Sequence, residues 1–139
     1  AYTLLAFAGI QLQGTLYNYY YVILRNQNNG DTTSRIFEDQ VPIALKGEKQ
    51  RNVNILFAMY KFCYGIFDNI IYRLDREAPE GDNLPKWFMT AVSTFGLGFQ
   101  LLIISVMLAL DLSHYIIPFF IGYSLFIILF IGVRRFINK

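Results

Sequence analysis

Two apolar runs decide the fold: WFMTAVSTFGLGFQLLIISVMLAL at residues 87–110 and YIIPFFIGYSLFIILFIGV at residues 115–133. Neither run contains Asp, Glu, Lys or Arg, and only residues 111–114 separate them. As helices they would extend roughly 36 and 28 Å, at about 1.5 Å per residue, which matches a hydrocarbon core of about 30 Å. They predict two transmembrane helices. Because the connection is so short, the two helices are expected to lie adjacent and antiparallel, as a helical hairpin.

The composition is that of a membrane protein with a single domain. Of the 139 residues, 55% are hydrophobic and the mean hydropathy is +0.37, more apolar surface than a soluble domain of this size could bury. A net charge of +2, with the Lys and Arg residues dispersed, argues against nucleic-acid binding. The single cysteine, Cys63, excludes an internal disulfide, and the single histidine, His114, excludes a histidine-rich metal site.

Residues 3–24 also lack charge, and two interpretations are open. As a helix they are long enough for a third span, with one polar stripe and an apolar remainder toward lipid. As a strand they alternate partly between apolar and polar residues, and the Asn29-Gly30 pair that follows suits a hairpin turn. The length and the lack of charge favour the transmembrane helix. The polar stripe of that helix consists of Gln11, Thr15, Asn18 and Arg25.

Residues 53–76 resemble another span until their polar residues are placed. Lys61 and Asp68 near the middle would each cost about 2.5–3.5 kcal/mol at the bilayer centre. Polar residues gather on one side of a helix and apolar residues on the other, which predicts an amphipathic helix lying in the membrane interface. Residues 25–52 are expected to be a polar loop, with a short strand near 36–45 as an option, and the Pro-containing residues 77–86 a linker.

The distribution of Lys and Arg predicts the orientation of these segments. If residues 3–24 span and residues 53–76 lie flat, all twelve basic residues fall on one side, whereas a crossing 53–76 segment leaves seven against five. Basic residues are retained on the cytoplasmic side, so the three-span arrangement is preferred. It places the N-terminus outside and the basic tail of the 87–139 region on the positive side, cytoplasmic or matrix, of a bacterial or mitochondrial inner membrane.

Asp111, Ser113 and His114 meet at the hairpin tip, which raises the question of a hydrolase. Ordinary helix-end roles account for them better, because Ser113 is placed to cap the third helix and Asp111 ends the second. A nucleophile, base and acid normally converge from separate elements, and a glycine-rich oxyanion loop is lacking here. The sequence contains no phosphate loop, dinucleotide fingerprint, Cys pair or HExxH motif, so neither catalysis, a cofactor nor a metal is predicted.

Small and polar residues inside the hairpin predict helix packing. Thr94 and Gly98 form a small-xxx-small pair, Gln100 can donate a hydrogen bond across an interface for about 1 kcal/mol, and Gly122 lies on the third helix. An alternative reads Ser93, Gln100 and Ser105 as pore lining. Ion-coupled transporters usually carry an intramembrane charge, which neither hairpin helix has, and packing is therefore favoured.

Four residues are candidates for contact with phospholipid. Lys61, Arg73 and Arg76 of the interfacial segment can attract anionic headgroups, and Trp87 is placed at headgroup depth. Acidic neighbours cancel much of the positive charge.

Together these features predict an all-α integral membrane protein without catalytic activity. The expected function is that of a small polytopic accessory subunit that helps to assemble or stabilise a larger membrane complex, of which a respiratory or energy-transducing complex is one class. Its partners would be other membrane subunits and phospholipids. The alternative is a homo-oligomeric channel or a membrane-disrupting effector.

Overall fold

The computed structural model describes residues 1–28, 30, 37, 39–81 and 84–137, and over these ranges the chain is helical without strands. The prediction of an all-α protein is therefore confirmed, and the strand interpretation of residues 3–24 is wrong. Asn29 and part of the 36–45 segment lie outside the described ranges. The α-helices are α1 Tyr2–Gln27, α2 Gln50–Leu74, α3 Lys86–Val92, α4 Leu97–Ala109, α5 Ile116–Tyr123 and α6 Phe126–Ile137. Short 3-10 helices cover Ala78–Glu80, Ser93–Phe95 and Ser113–Tyr115.

Helix α1 is the centre of the bundle, but it buries a different face from the one expected. The predicted polar stripe is only half-buried, or exposed at Asn18, instead of forming the inner face. The buried face carries residues spaced by three and four positions, the periodicity of one side of a helix. Its members are Ala6, Gly9, Gln13, Leu16, Tyr20 and Ile23.

Helix α2 forms where an amphipathic helix was predicted, beginning at Gln50 and ending at Leu74. Ile71 is its one fully buried residue, and it packs at the C-terminal end beside α1. Most of α2 is exposed, including large apolar side chains such as Phe62 and Ile66. The helix therefore joins the bundle through its last turns.

The first apolar run of the predicted hairpin is bent instead of straight. The segments Lys86–Phe95 and Leu97–Ala109 meet at an angle of 52°. Gly96 between them has an extended backbone, with φ −65° and ψ 147°, which ends the helical path. A Cβ at Gly96 would lie 3.0 Å from Ser93 O, a tight contact, and 3.5 Å from the Tyr17 ring, an ordinary one.

The helical segment that covers the second apolar run is longer than expected. Ser113–Ile137, with a mean hydropathy of 2.5, is the one described helix long and apolar enough to cross a membrane, and the bent pair would be a second if it counts as one span. It continues past residue 133 and takes in Arg134 and Arg135. Helix α1 is long enough to cross a membrane, but it is not among the helices that are also apolar enough to do so.

The hairpin tip is exposed and has no cap from a side chain. Asp111, Ser113 and His114 all face solvent, and Asp111 ends the preceding helix with φ 57°. The prediction that Ser113 caps the next helix is wrong, because the 3-10 helix starts at Ser113 itself and its hydroxyl lies 3.4 Å from His114 Nδ1.

Aromatic rings fill the core between α1, α3 and the last two helices. Phe88 packs against Tyr20 with ring centres 5.6 Å apart, and Phe95 lies 5.1 Å from both Phe130 and Tyr123. Helix α5 makes its most extensive contact with α1, not with α4. The N-terminal helix therefore separates much of the expected hairpin, because α4 bends away at Gly96.

Candidate functional site

Two clusters of buried polar side chains join the helices, and they are the strongest candidates for a functional site. We call the first the Asp75 cluster, formed by Tyr19, Tyr20, Asp75 and Arg134. We call the second the Gln13 cluster, formed by Gln13, Gln100 and Ser124.

The Asp75 cluster ties together three segments that are far apart in sequence. The carboxylate of Asp75 accepts hydrogen bonds from Arg134 Nε at 2.8 Å and from the Tyr20 hydroxyl at 2.6 Å, and Arg134 Nη2 also donates to it. The Tyr19 hydroxyl donates to the backbone oxygen of Asp75 at 2.9 Å. The cluster thus connects α1, the end of α2 and α6.

Local structure explains how Asp75 reaches this position. It follows the last residue of α2, and its N–H donates to Ile71 O at 3.0 Å, which ends the helix. Neighbouring Arg135 donates from its guanidinium to Leu74 O at 2.6 Å and is mostly exposed. One arginine of the pair therefore points into the bundle while the other stays at its surface.

The electrostatics of the Asp75 cluster are those of a closed ion pair. Asp75 is fully buried and Arg134 is 2% exposed, so neither charge is hydrated. Such a pair persists only where geometry and additional hydrogen bonds offset the loss of water, and Tyr20 supplies one of these bonds. Both carboxylate oxygens of Asp75 already accept hydrogen bonds from neighbouring side chains. The arrangement is suited to holding helices together.

The Gln13 cluster joins α1 to the helices on either side of the tip. Gln13 Nε2 donates to Ser124 Oγ at 3.0 Å, and Gln100 Nε2 donates to Gln13 Oε1 at 3.0 Å and to Ile10 O at 3.2 Å. Ser124 Oγ in turn donates to Phe120 O at 2.7 Å. One amide of α1 therefore bridges α4 and α5.

Close approach of two backbones makes this bridge possible. A Cβ at Gly9 would lie 2.2 Å from Ser124 Oγ and 3.3 Å from its Cβ, so a side chain there would displace the Ser124 hydroxyl or push the helices apart. Nearby, the Tyr123 hydroxyl donates to Thr94 Oγ1 at 2.7 Å. This second contact joins α5 to the 3-10 helix before the bend at Gly96.

The four residues predicted for helix packing separate into two groups. Gln100 is buried and Thr94 is half-buried, and both make contacts within the chain. Gly98 and Gly122 are exposed, and a Cβ at either would meet nothing within 4 Å. Thr94 and Gly98 lie on opposite sides of the break at Gly96, so they do not share one straight helical face. Their contact with a partner remains a prediction.

The four residues predicted to contact lipid, Lys61, Arg73, Arg76 and Trp87, are all exposed. Lys61 Nζ lies 3.3 Å from Asp39 Oδ1, an ion pair open to solvent on both sides. Part of the charge that was expected to attract anionic headgroups is therefore neutralised within the chain.

Sequence reasoning did not single out the residues of greatest interest, Gln13, Tyr20, Asp75 and Arg134. Arg134 directly follows an apolar run and resembles an ordinary basic flank, while Asp75 resembles one charge in a polar segment. The signal that was present is the regular spacing of Gln13 and Tyr20 with the small residues Ala6 and Gly9 on one face of α1.

Comparison with known proteins does not assign the chain to a family. The sequence matches no protein-family model, no curated protein and no solved structure. Functional conclusions therefore rest on the physical properties of the described residues.

Proposed function

We propose that the chain is a small polytopic membrane subunit with a structural or assembly role in a larger membrane complex. In this proposal the bent segment 87–110 and the segment 115–133 form a transmembrane hairpin, residues 3–24 are a third span, and residues 53–76 lie in the interface. The inner membrane of a bacterium or mitochondrion is the expected location, and a respiratory or energy-transducing complex is one candidate.

The observation that carries the proposal is the exposure of α4. Gln100 is its one buried residue, while apolar side chains such as Leu97, Leu102 and Leu108 are more than half exposed. Burial of apolar surface is the main favourable term in folding and association, so a helix this exposed needs another apolar environment. Lipid covers part of such a helix, and a partner subunit can cover the rest.

The interior supports packing over a channel. Gln100 Nε2 is occupied by Ile10 O and Gln13 Oε1, and the hydroxyls of Ser93 and Ser105 donate to carbonyls of their own helix turns. In the described part of the chain, Gln27 Oε1 is the one buried side-chain polar atom without a hydrogen-bond partner. A water-filled path would need polar groups that are not already hydrogen-bonded within the chain, so that they can bind water. A channel is therefore the second candidate.

The Asp75 cluster also supports the proposed orientation. It brings the C-terminal ends of α1, α2 and α6 together, and these ends carry Arg25, Arg73, Arg134 and Arg135. These arginines make one end of the bundle basic. Lys and Arg are retained on the cytoplasmic side of a membrane, so we expect this end to lie there. In this proposal the N-terminus and the 111–114 tip face outward.

A matched pair of glycine variants tests the subunit role. Gly98→Leu adds a side chain at an exposed site of α4, and Gly14→Leu adds the same side chain on α1 where a Cβ also meets nothing within 4 Å. We expect Gly98→Leu to remain folded but to lose its co-purifying membrane proteins in mild detergent, and Gly14→Leu to keep them. Equal co-purification of both variants would contradict the predicted interface.

Reconstitution tests the second candidate. The purified chain in liposomes is expected neither to conduct ions nor to release an entrapped dye. Conductance that disappears in Gln100→Leu would favour the channel.

A further inference from the structure

A groove lined by α2 lies outside both buried clusters. Its volume is about 610 Å³, and it runs along the side of the helix that carries Lys61, Gly65, Asp68 and Tyr72. These residues are spaced by four, three and four positions, so they share one face. A Cβ at Gly65 would meet nothing within 4 Å, so the base of the groove, its floor, is open at this glycine.

Among the described residues that line the groove, the charges are not balanced. Asp39 and Lys61 form an exposed ion pair at 3.3 Å. Asp68 is half-buried and has no hydrogen-bond or ion-pair partner among the residues described in the structure. Its burial raises the pKa of the carboxyl group, as expected where a charge loses water without gaining a partner. The groove therefore has one carboxylate whose complement is a cation.

Aromatic and apolar residues define which cation fits. Phe37 and Tyr72 pack edge to face with ring centres 5.1 Å apart and line the groove together with Tyr60. Aromatic faces attract ammonium groups, and a carboxylate prefers an ammonium that can donate a hydrogen bond. Beside them, Phe62 and Ile66 are 74% and 53% exposed, an apolar surface continuous with the groove.

We propose that this groove binds phosphatidylethanolamine, with its primary ammonium at Asp68 and its acyl chains along Phe62 and Ile66. Lys61 is the cation on the same side of α2 that would meet the headgroup phosphate, because its ammonium has three donors and uses one on Asp39. Phosphatidylglycerol lacks the cation that Asp68 needs, and phosphatidylcholine lacks an N–H donor. This assignment rests on the membrane location proposed above and adds a lipid preference to it.

Native mass spectrometry of the delipidated protein in detergent tests the preference. Phosphatidylethanolamine, phosphatidylcholine and phosphatidylglycerol with identical acyl chains are added at equal concentration. We expect the first to be retained about tenfold more than the others, the ratio given by one charge-assisted hydrogen bond. Equal retention of the three lipids, or a preference for phosphatidylglycerol, would overturn the proposal.

Two variants and a control locate the site. Asp68→Asn removes the charge with little change in shape, and Gly65→Leu fills the groove from its floor, so both are expected to abolish the preference. Asp111→Asn removes an exposed carboxylate at the hairpin tip and is expected to retain it. A preference that persists in both groove variants would exclude this site.

A separate measurement distinguishes this inference from the proposed function. If the chain stays in membranes during carbonate extraction but shows no lipid preference, the groove assignment fails while the membrane subunit stands. If carbonate releases the chain, the membrane role itself fails.

Discussion

Arg134 and Arg135 are adjacent in sequence but have opposite surroundings, which provides a matched test of the Asp75 cluster. Replacing Arg134 with Leu leaves the buried carboxylate of Asp75 without its cation, and we expect a loss of about 3–5 kcal/mol in the free energy of unfolding. Arg135 is 56% exposed and 3.8 Å from Asp75, so Arg135→Leu should cost less than about 1 kcal/mol. Unfolding in mixed detergent and SDS micelles measures both.

The double variant Asp75→Leu/Arg134→Met separates the cost of burying the two charges from the gain of pairing them. Removing both charges is expected to recover much of the stability lost in Arg134→Leu, because buried ion pairs are often no better than apolar contacts. Equal losses for the two single arginine variants would show that Asp75 does not depend on Arg134.

A second residue pair tests the close approach of α1 and α5. Gly9→Ala places a methyl group 2.2 Å from Ser124 Oγ, so the hydroxyl must rotate away from Gln13 and Phe120 or the helices must separate. We expect a cost of about 1–3 kcal/mol, typical of overpacking. Gly14→Ala has open space and should be neutral or slightly stabilising. Similar unfolding curves for the two variants would contradict the contact.

The half-buried Asp68 predicts a pH dependence. Burial raises the pKa of its carboxyl group from the ordinary 3.8, so the folded chain binds this proton more tightly than the unfolded chain. Stability is then lost as the pH rises through the interval between 3.8 and the raised pKa. In lipid-free detergent, Asp68→Asn should be more stable than the wild type near neutral pH. Its free energy of unfolding should also fall less between acidic and neutral pH. Parallel pH profiles would contradict this expectation.

At the scale of the helix, α4 depends on a single side chain for its polar attachment to α1. Gln100→Leu removes the bonds to Ile10 O and Gln13 Oε1, and we expect faster hydrogen exchange over Leu97–Ala109 as the helix loosens. Ser105→Ala is the control, because Ser105 is exposed and bonds only within its own helix, to Leu101 O. Equal exchange rates in the two variants would mean that apolar packing alone holds α4.

Helix positions could be predicted from sequence, whereas their directions and contacts could not. Absence of charge and length indicated helices at 3–24, 87–110 and 115–133, since these are properties of single segments. The bend at Gly96 arises from an extended backbone at one residue, which the length and charge of the segment do not reveal. The inner face of α1 was assigned wrongly because two stripes have helical spacing, and which of them is buried depends on the partners Ser124, Phe88 and Asp75.

Over the whole molecule, the proposed topology predicts that both ends of α2 lie on the same side of the membrane. Lys49→Cys and Glu77→Cys flank the helix, and each is introduced into a Cys63→Ser background to remove the native thiol. A maleimide that cannot cross the membrane is expected to label both positions from the basic side only. Labelling from opposite sides would show that α2 crosses, and would remove the charge asymmetry on which the orientation depends.

The Asp75 to Arg134 contact also sets an order of events during synthesis. Arg134 follows Asp75 by 59 residues, which at 5–20 residues per second means that it emerges about 3–12 s later. During that interval Asp75 and Tyr20 lack Arg134, so the buried contact that joins α1 and the end of α2 to α6 cannot form. The bundle closes there only when translation reaches the last helix, so a chain truncated before residue 134 is expected to leave the carboxylate of Asp75 without its buried cation.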